Sequence, residues 1–205
     1  VLTGDPAALI QPSLITTGSE TYVVSGFSGG LRSYSVLNGS DLTAVGSLPD
    51  TPGTLLADIS DTVALSVGGE DYVAVISASE PGVSIVSVGS GGALTLHGDI
   101  GAVDGLGVSG ASASIAAEVM GHSYVIVAGS GSSSLSVVEV LPGGVPVLRD
   151  HVVDSLSTRF QSVEALASSV VGGRTFVAAG GADDGITLFE IVPGGRLVEL
   201  ASLAD

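Results

Sequence analysis

Apolar and small polar residues alternate in short runs along the chain, and glycine-rich breaks close each run. The clearest series lies between 62 and 97. A first run spans 62–67 and is followed by Gly68, Gly69 and Glu70; a second spans 71–77 and carries Tyr72 and the Val-Ala-Val-Ile that follows it. After 78–81 a third run spans 83–88, and beyond a turn at 89–92 a fourth spans 93–97. A period of two over such lengths, bounded by Gly, Asp, Ser and Pro, predicts strands. The short glycine-bearing breaks predict hairpins, because φ > 0 comes without strain only at glycine. Four consecutive antiparallel strands make a meander.

The same pattern recurs, with aromatic residues opening the second run at Tyr22, Tyr72, Tyr124 and Phe176. The spacings are 50, 52 and 52 residues. A fixed period of this size marks a stack of equivalent units. In the first unit strands are expected at 13–17, 21–25, 31–36 and 42–45. The third unit places them at 114–119, 123–128, 135–140 and 145–149, and the fourth at 165–170, 175–179, 186–191 and 197–200. Glycine pairs at 68–69, 91–92, 143–144, 172–173 and 194–195 fall on the turns.

An all-β array of four-stranded blades is a β-propeller, with repeats at about 6–50, 51–104, 105–154 and 155–205. A solenoid has a shorter repeat, and a sandwich does not repeat at this period. The second strand of each blade is expected to be buried on both faces by packing between blades. Residues 1–5 echo the end of a fourth strand, as a surplus strand or as a clasp on the last blade. Four blades is the lower limit of a closed ring. The array therefore closes on itself, or is half of a larger ring completed by a second copy or by further residues. The first residue is valine, with no basic and apolar leader after it, which points to a processed product or a piece of something longer.

Charge narrows the partners. Twenty-one acidic residues stand against five arginines and no lysine, a formal net charge of −16. Nucleic-acid backbones need a basic stripe, and anionic membrane surfaces need the same, so both are excluded. The balance suits solubility at high salt, calcium binding or a basic partner. No run of about 18 apolar residues predicts a membrane span. Absence of cysteine fits an exported protein that needs no oxidative folding, though cytosolic chains share it.

In the fourth repeat the residues carry a family likeness: Val170-Val171-Gly172-Gly173, then Phe176-Val177, the turn 181–185, the strand 186–191, Gly194-Gly195 and a closing Asp205. The pattern resembles propeller repeats of large secreted bacterial proteins, including exoproteins of the calcium-binding RTX type, and more remotely lactonase-type and YVTN-type propellers. The first repeat is a looser match. The resemblance implies a propeller and secretion more than an activity. Residues 180–188 look like a calcium-binding nonapeptide but lack its second glycine pair and do not recur every nine residues, so they read as a turn.

Ligand sites in such rings lie where the connectors between blades meet the turns between second and third strands. Those segments hold Asp50, Asp58, Asp61, Asp99, Asp104, Asp150, Asp154 and Glu164, with Glu80, Asp183 and Asp184. Asp99, Asp104, Asp150, Asp154, Asp183 and Asp184 are the candidate calcium ligands, since calcium takes six to eight oxygens. The opposing reading is that aspartate favours turns, where it accepts local N–H bonds. His97, His122 and His151 lack metal-ligand spacing. No G-x-S-x-G motif occurs, and without cysteine there is no thiol nucleophile.

The least repetitive segment is the connector 150–164, where His151, Arg159 and Glu164 are the candidate catalytic residues. The structural alternative pairs Arg159 with a nearby aspartate and uses Phe160 to fill the gap between blades. The leading functional expectation is a non-catalytic scaffold or binding module of a secreted or cell-surface bacterial protein, with calcium as a candidate stabilising ion. A lactonase-like hydrolase with its site at the channel mouth is the alternative. A protein-interaction role, with a protein partner or a second copy of the chain, is a third reading.

Overall fold

The computed structural model describes residues 9–37 and 41–204. Within them sixteen strands form four antiparallel sheets of four, each in chain order. The first sheet holds β1 (Ile10–Thr17), β2 (Glu20–Phe27), β3 (Gly30–Leu37) and β4 (Asp41–Pro49). The second holds β5 (Ile59–Val67), β6 (Glu70–Ser77), β7 (Gly82–Val88) and β8 (Leu94–Gly101). The third holds β9 (Ala111–Val119), β10 (His122–Gly129), β11 (Ser134–Leu141) and β12 (Val145–Val153). The fourth holds β13 (Ala165–Val171), β14 (Arg174–Gly180), β15 (Gly185–Val192) and β16 (Arg196–Ala204). The all-β, four-blade propeller architecture expected from the repeat is what the chain adopts. The N-terminal echo at 1–5 lies outside the described residues.

Every expected strand is present, and the fourth strands run longer than the alternation indicated. Each contains a register shift against its third strand, between Ser33 and Tyr34, Ile85 and Val86, Val137 and Val138, and Leu188 and Phe189. A bulge inserts an extra residue and switches which face the following side chains occupy, so a strict period of two stops there while the strand continues. All five glycine pairs have positive φ.

First strands pack beside one another, β1 on β5, β5 on β9 and β9 on β13, and so form the inner edge of the array. Three apolar clusters seal the seams. Tyr22, Val24 and Leu31 of the first sheet meet Val73, Val75, Val86 and Val88 of the second. Tyr72, Ala74, Ile76, Val83 and Ile85 meet Val125, Val127, Val138 and Val140 of the third. Tyr124, Ile126, Leu135 and Val137 meet Val177, Ala179, Phe189 and Ile191 of the fourth, with Phe160 filling the gap as a buried ring 5.7 Å from that of Phe189.

A repeated contact locks each seam. The aromatic that opens the second strand lies on the second glycine of the next sheet's last hairpin. A Cβ on Gly92 would stand 3.2 Å from the Tyr22 ring, one on Gly144 3.0 Å from Tyr72, and one on Gly195 2.7 Å from Tyr124. The hydroxyl of Tyr22 donates to Glu20 and that of Tyr72 to Glu70, each at 2.7 Å.

Burial on both faces holds for β2, β6 and β10. It fails for β14, where buried and half-buried residues alternate. The fourth sheet packs on the third through one face, and its other face has no apolar cluster among the described residues.

Candidate functional site

Connectors and second-to-third turns share one edge of the array, as the repeat predicts. Asp50 N donates to Gly29 O at 2.9 Å, Ala78 N to Asp58 O at 3.0 Å, Asp154 N to Ser133 O at 2.8 Å and Glu164 N to Gly180 O at 3.1 Å. Ser130 N and Gly131 N reach Gly110 O and Ser109 O, each at 3.0 Å. The backbone of each turn is thus bonded to that of the neighbouring connector.

Carboxylates here cap the chain. In the first connector Asp50 Oδ1 accepts from Thr54 Oγ1 at 3.1 Å, and in the third Asp154 Oδ1 accepts from Thr158 Oγ1 at 2.7 Å. Asp154 Oδ1 also accepts the Phe160 N–H at 3.2 Å, which sets the ring at its seam. The second connector differs: Asp104 Oδ2 accepts from Gly101 N at 3.0 Å. Glu80 Oε2 accepts from Ala57 N at 3.3 Å. Two further aspartates bridge sheets. Asp61 Oδ2 takes the Ser114 N–H at 2.6 Å and its hydroxyl at 2.8 Å; Asp150 Oδ2 takes the Leu197 N–H at 2.7 Å.

The six candidate calcium ligands are spread over the array. Asp99 is exposed on β8, Asp150 lies within β12, Asp104 and Asp154 belong to different connectors, and Asp183 and Asp184 form the turn between β14 and β15. Asp183 Oδ1 is buried without a hydrogen-bond partner. Among the described residues no three His, Asp or Glu side chains are placed to hold one metal ion.

His151, Arg159 and Glu164 are held separately. His151 shares a 2.8 Å hydrogen bond with Ser136 Oγ, and its ring covers Gly107 of the second connector, where a Cβ would lie 2.8 Å from Cε1. The Arg159 guanidinium donates to the carbonyls of Thr158 at 2.9 Å and Leu156 at 3.4 Å, and among the described residues it has no hydrogen bond to an aspartate. Its backbone N–H donates to Thr187 Oγ1 at 2.6 Å. The Glu164 side chain is exposed.

One polar cluster escaped the sequence reading. Glu139 is buried in β11 at the seam with the fourth sheet, bonded to His122 Nδ1 at 2.6 Å and Arg149 Nε at 2.5 Å. Burial pushes its pKa up, but the bonds from His122 and Arg149 outweigh that and leave it lowered. Arg149 also packs on Gly195 beside the Tyr124 ring. The hint in sequence was a glutamate where the first two repeats carry Ser35 and Ser87; the fourth repeat carries Glu190 there, bonded to Arg174 Nε at 2.8 Å. At the corresponding place in the second sheet, burial and the bond to Glu70 push Tyr72 up to about 12.

No family model matches the chain, and no curated protein matches it in sequence. Solved structures do. A protein from Lactobacillus plantarum superposes with a TM-score of 0.67 at 15% identity over 98% of this chain and 58% of that one. The periplasmic gluconolactonase of Pseudomonas aeruginosa gives 0.66 at 14% identity over 96% of this chain and 57% of that one. An exo-beta-1,3-galactanase from Phanerochaete chrysosporium gives 0.56 at 10% identity, covering 94% and 50%. The likeness is one of fold, and this chain spans a little over half the length of the first two structures.

Proposed function

We propose that the chain is a non-catalytic scaffold and binding section of a propeller belonging to a secreted or cell-surface bacterial protein, of the kind its repeats resemble in RTX-type exoproteins. The observation that carries this reading is how the polar side chains of the connector edge are used. Asp50 and Asp154 cap connector turns, Glu80 and Asp104 hold backbone N–H groups, and Asp61 and Asp150 tie one sheet to the next. Carboxylates bonded in this way fix turns and seams. The acidic, cysteine-free composition supports an extracytoplasmic setting, as does the likeness to a periplasmic protein.

A lactonase-like hydrolase is the second reading, favoured by the gluconolactonase among the similar folds and by Arg159 at the connector edge. A panel of lactones and esters separates the two. The purified chain is expected to give no turnover above buffer; turnover that disappears in Arg159→Ala would overturn the scaffold reading. In the same preparation Asp61→Asn and Asp150→Asn are expected to lower stability by about 1–3 kcal/mol each, because each weakens a charge-assisted bond between sheets.

A further inference from the structure

Three positions on the edge opposite the connectors are filled differently from sheet to sheet: the residue two before the second-strand aromatic, the third-strand residue paired with that aromatic, and the bulged residue of the fourth strand. In the third sheet they are His122, Glu139 and Arg149, and in the fourth Arg174, Glu190 and Leu200. Each of these sheets pairs its glutamate with an arginine of its own. Arg149 Nε donates to Glu139 Oε2 at 2.5 Å, and Arg174 Nε donates to Glu190 Oε1 at 2.8 Å, with its Nη2 on Oε2. The second sheet has Glu70, Ser87 and His97 in these places, an acid without an arginine.

A cavity of about 370 Å³ opens there, walled by Thr17 and Gly18 of the first sheet's hairpin and by Glu70, Asp71, Ser87 and His97 of the second sheet. Pockets for small ligands span roughly 300–1,000 Å³. Part of the wall is already engaged. Glu70 Oε2 accepts from the Tyr72 hydroxyl at 2.7 Å, His97 Nε2 shares a 2.8 Å bond with Ser87 Oγ, and Thr17 Oγ1 donates to Val88 O at 3.0 Å. Among the described residues, Glu70 Oε1 and the Asp71 carboxylate have no hydrogen-bond partner. Two adjacent acids thus line one cavity with acceptor capacity unused. The first sheet carries Glu20, Ser35 and Val45 at the same three positions, but among the described residues no hairpin of a preceding sheet walls them.

We propose that the cavity binds a guanidinium group on an alkyl stem, supplied by a ligand where the third and fourth sheets supply an arginine of their own. This inference rests on the reading of the chain as a binding section and names the chemistry that one of its sites takes. A guanidinium is planar, carries five N–H donors in a fixed fork and sheds water more readily than an ammonium, so it suits a walled site with two carboxylates. The Thr17 and Ser87 hydroxyl oxygens add acceptors for the remaining donors. A formal net charge of −16 draws a cation toward the site.

Isothermal titration of the 205-residue chain with Nα-acetyl-arginine amide is expected to show one site. Nα-acetyl-citrulline amide, which keeps the shape and lacks the charge, should bind about tenfold more weakly or worse. The arginine compound should lose as much on Glu70→Gln and on Asp71→Asn, because each removes a charge-assisted bond. His97→Arg gives the second sheet the arginine that the third has, and should abolish binding without lowering the thermal midpoint. Glu118→Gln, at an exposed acid on β9, carries the same loss of charge and should leave the affinity unchanged. Glu70, Asp71 and His97 are exposed, and circular dichroism confirms that each variant is folded. The peptide Gly-Arg-Gly tells the source: binding as tight as that of the capped amino acid supports a side chain presented by a partner polypeptide, and binding of the capped amino acid alone supports a free small molecule. No binding of either compound, equal binding of the citrulline compound, undiminished binding to His97→Arg, or a loss on Glu118→Gln as large as that on Asp71→Asn would each overturn the proposal. Such a failure leaves the scaffold reading standing, since that reading falls only on lactone or ester turnover.

Discussion

At the scale of single residues, Glu139 is the side chain whose role depends most on its surroundings. It is an acid inside an apolar seam, and bonds from both His122 and Arg149 offset the cost of burying it. Its folded pKa is lowered from 4.5, so its contribution to stability is present above that value and is lost as pH falls through the folded pKa. Glu139→Gln should therefore destabilise the protein at pH 7, by about 1–3 kcal/mol. The difference from wild type should shrink as the pH is taken below 4.5. Thermal midpoints of both proteins across that window check the prediction. A gap that persists unchanged at low pH would mean that the side chain acts through shape and not charge.

At the scale of the element, the hairpin between β11 and β12 separates two demands on glycine. Gly143 and Gly144 both have positive φ, at 84° and 75°. A Cβ on Gly143 would meet nothing, whereas one on Gly144 would stand 2.6 Å from His97 Cβ and 3.0 Å from the Tyr72 ring. Gly143→Ala should cost only the strained backbone, about 1 kcal/mol, and Gly144→Ala distinctly more, because it also pries the third sheet from the second. Chemical denaturation of the two variants distinguishes them. The turn was legible in sequence from its glycine pair; the reason for the second glycine was not, since His97 and Tyr72 reach it from another sheet. The fourth strands were read short for a related reason. The bulge ends the alternation that a reader follows, while backbone pairing, which is blind to side chains, continues. Acids such as Asp50 and Asp154 were placed correctly at connectors, and their turn-capping role was legible from the preference of aspartate for turns. The Glu139 cluster was not, because its three members lie on β10, β11 and β12 and meet only once strand register is set.

At the scale of the whole molecule, repeat arrays gain stability mainly from contacts between neighbouring units, so a unit covered on one side is held less tightly than one covered on both. The second sheet lies between two apolar clusters, the fourth against one. Amide exchange should show the difference. Protons of β6 and β7 are expected to exchange only through global unfolding, and those of β14 and β15 through detachment of the fourth sheet, at a lower free energy. In a Phe160→Ala variant, exchange from β14 and β15 should accelerate relative to wild type while β6 and β7 keep their rates, because only the seam between the third and fourth sheets has lost a buried ring. Exchange that accelerates equally in all four sheets would instead identify the array as one cooperative unit, in which the third seam contributes to global stability and not only to the local hold on the fourth sheet.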